Sequence, residues 1–187
     1  MYGLVNRAIR DLLVNEHGEE VWQEVCRRAD YSGEVFVGMQ AYDDAITYRL
    51  VAASAEVLGV GQDEILRAFG HFWVEYTAKE GYGDLLRLAG NNTAEVLDNL
   101  DALHSRVTLQ YPELRPPSFR VTDQEGDTLR LHYSSERGGL APMVIGLVEG
   151  LGRLFDEAVE IELERPRAEP SGSDEFRMRI RSLADGR

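Results

Sequence analysis

A single cysteine, Cys26, stands in a chain of 187 residues. It cannot form a disulfide within the chain, which suits a reducing cytoplasm. It also excludes thiolate zinc clusters and iron–sulfur clusters held by protein cysteines alone. Positive charge is scarce: 20 lysines and arginines face 33 aspartates and glutamates, for a formal net charge of -13. An acidic surface repels phosphate backbones and anionic lipid heads, so neither nucleic acid nor membrane is an expected partner. No apolar run approaches the roughly 18 residues needed to span a bilayer. The opening residues lack the charged-then-apolar pattern of a secretory signal. Enzyme fingerprints are missing too: G-x-S-x-G, the P-loop, H-E-x-x-H and the dinucleotide glycine pattern. Gly150 and Gly152 lie inside a helical pattern and do not open one. There is no internal repeat and no low-complexity tract.

What is present suffices for a core. Hydrophobic residues make up 43%, and the length fits one domain over residues 1–187. The first part, to about residue 112, reads as helices. Leu4, Val5, Ala8, Ile9, Leu12 and Leu13 share one helical face, predicting a helix over residues 4 to about 15. A short second helix follows Gly18, over 19 to about 29. Asp43 and Asp44 are expected to cap a third helix, with Gly59 and Gly61 ending it. A fourth, over 62 to about 79, carries Phe69, Phe72, Trp73 and Tyr76. A shorter one follows Gly81 and Gly83. Thr93 is the expected cap of a long helix reaching about Gln110.

Pro112, Pro116 and Pro117 then stop helix formation, and the period changes. Over about 113–183 the pattern is that of strands. Phe119 and Val121, then Leu129, Leu131 and Tyr133, alternate with polar residues around Glu125-Gly126-Asp127, which is a hairpin signal. Residues 140 to about 155 return to helix. Two strictly alternating segments, 159–163 and 176–180, flank a loop over 165–174. The fold class expected is α+β: an N-terminal helical half plus a small antiparallel sheet with an inserted helix.

Two constellations carry chemistry. Leu97, Leu100, His104 and Val107 share a helical face, which sets an imidazole in an apolar stripe. Such a histidine is either a core residue bonded to a carbonyl or a metal ligand. Val107 and Thr108, at the next-turn positions, are not metal donors, so a protein-only zinc site lacks ligands. A metal there needs a cofactor that supplies the rest, as haem does. With no C-x-x-C-H, any haem is bound non-covalently. The second constellation is Tyr133, Ser135 and Arg137. Read as the end of an alternating strand, it presents two hydroxyls and a guanidinium on one face. That set suits a carboxylate or phosphate, and equally a solvated polar sheet face. Pro116-Pro117 is a rigid connector, or a stiff apolar edge against a flat ligand. The aromatic set Phe72, Trp73, Tyr76 and Tyr82 is compatible with core or pocket.

Taken together, these residues resemble one family. The opening Met1-Tyr2-Gly3-Leu4-Val5-Asn6, the run Asn99-Leu100-Asp101-Ala102-Leu103-His104, the segment Arg115-Pro116-Pro117-Ser118-Phe119 and the signature Tyr133-x-Ser135-x-Arg137 resemble the haem-nitric oxide/oxygen binding (H-NOX) domains. That family includes the sensor of soluble guanylate cyclase β subunits. The likeness covers nearly the whole chain and is greatest to the cyanobacterial and cyclase branches.

The resemblance implies haem b lying between the helical half and the sheet, with His104 as proximal iron ligand. It implies that Tyr133, Ser135 and Arg137 bind the propionates and that Pro117 pushes the haem out of plane. Leu100, Val107 and Leu114 would line the proximal side. Tyr2, Val5, Trp73, Met143 and Leu147 would lie on the distal side. Oxygen-binding members carry a distal tyrosine; the matching place here is Met143, which donates no hydrogen bond. The implied ligands are therefore nitric oxide and carbon monoxide. The implied role is a cytoplasmic gas sensor and not an enzyme. It would signal by a weakened Fe–His104 bond and a helix shift to a partner in trans, a histidine kinase or a cyclic-nucleotide enzyme. The rival readings are a haem-free interaction module and a haem enzyme such as a peroxidase, with His71 the residue to watch.

Overall fold

The computed structural model describes residues 1–79, 83–169 and 171–183. Tyr82 of the aromatic set and Gly81 lie outside the described residues. The chain opens with α1 (Gly3–His17) and α2 (Glu19–Arg28), joined at Gly18. In α3 (Asp44–Leu58) only one of the two expected caps acts as one. Asp43 accepts the Ala45 N–H at 2.9 Å, while Asp44 turns to Arg137. Gly59 ends that helix with φ 69°, a left-handed conformation that glycine adopts without a Cβ clash. Gly61 opens α4 (Gln62–Thr77) rather than closing α3, and its N–H donates to the Glu64 carboxylate at 3.0 Å. α5 (Gly83–Ala89) and α6 (Thr93–Gln110) follow. The cap of α6 is Asn92, not Thr93. Asn92 has extended backbone and accepts the Glu95 N–H at 2.9 Å, whereas Thr93 is fully buried with its N–H on the Glu157 carboxylate.

The second part comprises β1 (Ser118–Glu125), β2 (Thr128–Ser134), α7 (Ala141–Leu154), β3 (Glu157–Arg165) and β4 (Asp174–Ser182). All strand pairs are antiparallel, in the order β1-β2-β4-β3. The expected hairpin turns through Gly126 at φ 62°, and a bulge between Thr122 and Glu125 adds local twist. One face of the sheet is apolar: Phe119, Leu129, Leu131, Tyr133, Phe176 and Met178 are all buried. The other is charged. Arg130 there meets Asp123, Glu164 and Glu175, and edge strand β3 carries Glu160, Glu162 and Glu164. Charged residues along an edge discourage pairing with another chain.

Two hydrophobic cores result. The first unites Ile9, Leu13, Trp22, Val25, Leu50 and Phe69 from α1–α4. The second unites Val96 and Leu97 of α6 with Val148 of α7 and the inner sheet face. α4 and α7 join them at backbone distance. A Cβ on Gly146 would lie 2.0 Å from the Arg67 carbonyl oxygen, and one on Gly70 would lie 2.2 Å from that of Met143. The glycines of α7 therefore serve packing. Where the cores meet beside this crossing, an internal cavity is left.

Candidate functional site

The cavity offers about 290 Å³ to the centre of a water molecule, far more than a packing void. α6 forms one wall through Leu100, Leu103, His104 and Val107. Tyr2 and Val5 at the chain's start, Trp73 of α4, and Met143 and Leu147 of α7 border the cavity as well. Leu114, Pro117, Tyr133, Ser135 and Arg137 complete the lining. Every residue expected at the site thus borders this one space.

His104 is held by the segment that the prolines turn back across α6. Its Nδ1 lies 3.2 Å from the Pro117 carbonyl oxygen. A carbonyl only accepts, so Nδ1 carries the proton and Nε2 bears the lone pair. Burial pushes the His104 pKa below its ordinary value, outweighing the upward pull of Asp101 and of the Pro117 bond. The ring is therefore a neutral donor. Three residues earlier on the helix, Asp101 accepts from the Ser118 hydroxyl and, at 2.9 Å, from the Phe119 N–H. Helix α6 is thus tied to the start of β1 at the imidazole and one turn before it.

Tyr133 lies on the inner face of β2, only 4% exposed, and burial pushes its phenol upward. The Ser135 side chain acts on it in the opposite direction. The strand ends at Ser134, so strand alternation does not bring Ser135 and Arg137 to its side as expected. A turn does: the Ser135 hydroxyl accepts the Arg137 N–H at 3.1 Å. Nor is the Arg137 charge uncompensated. Its Nε donates to Asp44 at 2.8 Å, and Nη1 to the Arg115 carbonyl at 2.8 Å. Burial acts upward on Asp44, but its cationic partners, Arg137 among them, hold its carboxyl below the usual range.

The Met143 thioether has no proton to donate. Thr77 borders the cavity but donates to the Trp73 carbonyl at 2.7 Å. Trp73 stacks on Tyr76, with ring centroids 6.2 Å apart. His71 is not on the cavity wall. Its Nε2 lies 3.0 Å from the Glu149 carboxylate at the α4–α7 crossing, and burial lowers its pKa. His104 is the histidine of the cavity among the described residues.

The donor set fits one kind of group. No three His, Cys, Asp or Glu side chains among the described residues gather to hold a bare metal ion. One neutral imidazole bordering an apolar cavity, with hydroxyls and a guanidinium also on its lining, suits a macrocycle that brings its own metal donors and carries anionic arms. The model of the haem-NO-binding family matches residues 2–163. The chain belongs to the haem-NO-binding family.

Haem-NO-binding (H-NOX) domains are haem-based gas-sensing modules rather than catalytic ones. The soluble guanylate cyclase gcy-35 of Caenorhabditis elegans is 32% identical over 173 residues, covering 90% of this chain and 25% of that protein. The guanylate cyclase soluble subunit beta-2 of Rattus norvegicus is 38% identical over 102 residues, covering 54% and 15%. The chain spans about a quarter of the length of the curated relatives it matches. Among solved structures, the Fe(II)NO form of an H-NOX protein from S. oneidensis superposes with a TM-score of 0.85 at 20% identity, covering 97% of this chain and all of that one. An oxygen complex of an H-NOX domain related to soluble guanylate cyclases gives 0.81 at 21% identity, covering 97% and 96%. These neighbours establish the fold.

Several residues of this H-NOX site escaped the sequence reading. Asp101 stands one turn before His104, so its spacing could have flagged it. Arg115 sits in the quoted proline segment and borders the cavity. Asp44 was read only as a cap. Arg167 and Tyr48 had no local signal, because each reaches the Ser135–Gly138 segment from a distant element.

Proposed function

We propose that residues 1–187 act as a single sensor module that holds haem b non-covalently and responds to nitric oxide and carbon monoxide. His104 Nε2 ligates the iron, and Tyr133, Ser135 and Arg137 grip the propionates. Leu100, Val107, Leu114 and Pro117 lie against the proximal face. Tyr2, Val5, Trp73, Met143 and Leu147 face the gas. The observation that carries this reading is the division of labour on His104: one ring nitrogen bonded to Pro117, the other left as the donor of an apolar cavity. Haem, when bound, would supply an iron that binds the gas, and His104 would be the protein's ligand to it.

The chain's own residues do the rest. Met143 offers no donor to a bound gas, which disfavours dioxygen, whose negative charge benefits from one. His104 is linked to the Pro117 carbonyl, and Asp101 holds Ser118 and Phe119. Movement of α6 therefore bears on the start of β1. Two arrangements biased by the ligand are what a switch requires. The signal passes to a cyclic-nucleotide enzyme or a histidine kinase in the cytoplasm; the cyclase relatives support the first. A net charge of -13 argues against nucleic acid and anionic membrane as partners.

An absorption spectrum of the purified chain tests the reading at once. H104G is expected to lose its ferrous haem spectrum and to regain it with added imidazole. Normal haem uptake by H104G, without any effect of imidazole, would falsify the assignment.

A further inference from the structure

The grip on the cofactor's carboxylates needs a support that neither Tyr133-x-Ser135-x-Arg137 nor strand pairing supplies. The last ladder pairs of β2 are Ser118 with Ser134 and Tyr133 with Asp174. Beyond them the backbone has no strand to bond, and its carbonyls need other donors. One guanidinium answers two of them. Arg167, in the β3–β4 connection, donates from Nη1 to the Ser135 carbonyl and from Nη2 to the Arg137 carbonyl, the latter at 2.7 Å. The Tyr48 hydroxyl takes the next carbonyl, that of Gly138, at 3.0 Å. Gly138 leaves room for this: a Cβ there would come within 3.1 Å of Arg167 Nη2.

Arg167 is itself fixed. Its backbone N–H donates at 2.9 Å to the carboxylate of Asp174, a residue 8% exposed and the ladder partner of Tyr133. A closed circuit results: Tyr133 to Asp174 by strand pairing, Asp174 to Arg167, and Arg167 back to Ser135 and Arg137. A planar fork with donors on separate nitrogens can bridge carbonyls two residues apart; an ammonium is a single point.

We propose that Arg167 is a positioning residue for cofactor retention: it fixes the turn that sets Ser135 and Arg137 beside Tyr133, and so couples the β3–β4 connection to the haem carboxylates. The proposal rests on the reading that these three residues hold those carboxylates.

Transfer of ferric haem to excess haem-free myoglobin measures how fast the full chain lets go. R167M is expected to speed haem loss about tenfold, the worth of one charge-assisted hydrogen bond. R137M should do at least as much. The R137M/R167M double variant should exceed R137M by no more than about twofold, because Arg167 acts through the turn that carries Arg137. The ferrous iron–histidine vibration should stay at its wild-type frequency, since His104 sits on a separate element.

A wild-type rate for R167M overturns the proposal. So does additivity in the double variant, which would make Arg167 a general prop. Should R167M not fold, R167K keeps the charge without the fork. Faster loss than wild type then supports the proposal, and an unchanged rate overturns it. A wild-type chain that takes up no haem sinks the functional reading together with this one, whereas normal uptake with an unchanged variant sinks this one alone.

Discussion

His104 engages one ring nitrogen with the Pro117 carbonyl, which leaves the other as the only electron pair it can offer. Met143 borders the cavity with a sulfur that cannot donate, and the Thr77 hydroxyl is turned to a backbone carbonyl. On the proposed reading, dioxygen is disfavoured because Met143 has no proton to give. Ferrous protein in air should oxidise without passing through a stable oxygenated spectrum. M143Y, which adds a phenolic donor to the cavity lining, should retain dioxygen about tenfold longer, the worth of one hydrogen bond to a charged acceptor. Absorption spectra recorded after mixing with oxygen decide it. A stable oxygenated wild type would contradict the Met143 argument.

At the scale of elements, the crossing of α4 and α7 carries the greatest constraint. Alanine ordinarily favours a helix over glycine by about 1 kcal/mol. At Gly146 the added methyl would meet the Arg67 carbonyl oxygen at 2.0 Å, and backbone cannot swing aside as a side chain can. Overpacking of this kind costs about 1–3 kcal/mol and outweighs the propensity gain. G146A should therefore lower the urea-unfolding free energy, with the cavity lining shifted because Met143 and Leu147 flank the contact. A G146A chain more stable than wild type would show that the helices part freely. α6 stands in contrast. The residues it buries, Thr93, Val96, Leu97 and Leu100, lie in its first half, and beyond them it is held to the proline segment and β1 through Asp101 and His104.

The whole molecule is two cores around a space that neither fills alone. On the proposed reading, haem packs against the apolar residues that line that space. A ligand that binds only the folded state adds about 4 kcal/mol at a thousandfold excess over its dissociation constant. For a chain of this size that corresponds to a rise in melting temperature of about 10 °C. Calorimetry of the protein before and after haem extraction should show that difference. Equal melting temperatures would mean that the cavity is not where haem binds. The charge distribution fits the same picture: an acidic molecule bears Arg115, Arg137 and Arg167 around one turn, with Asp44 balancing part of that charge.

The sequence by itself determined the elements and the reactive side chains. Helical spacing marked α6 and put His104 on its apolar face, alternation marked the strands, and the prolines marked the change of period. These are local signals, carried by neighbours within a turn or a hairpin. The resemblance then assigned roles to His104, Tyr133, Ser135 and Arg137. Tertiary structure alone decided the strand order, the use of Gly70 and Gly146 for backbone contact, and the support of the Ser135–Arg137 turn by Arg167. It also moved Asp44 from cap to partner of Arg137 and gave the α6 cap to Asn92 once Thr93 was buried. In each case the deciding partner lies in another element. A hydrogen bond from Arg167 to Arg137, or from Arg137 to Asp44, leaves no trace in the periodicity of either segment, because its energy depends on distances that only packing sets.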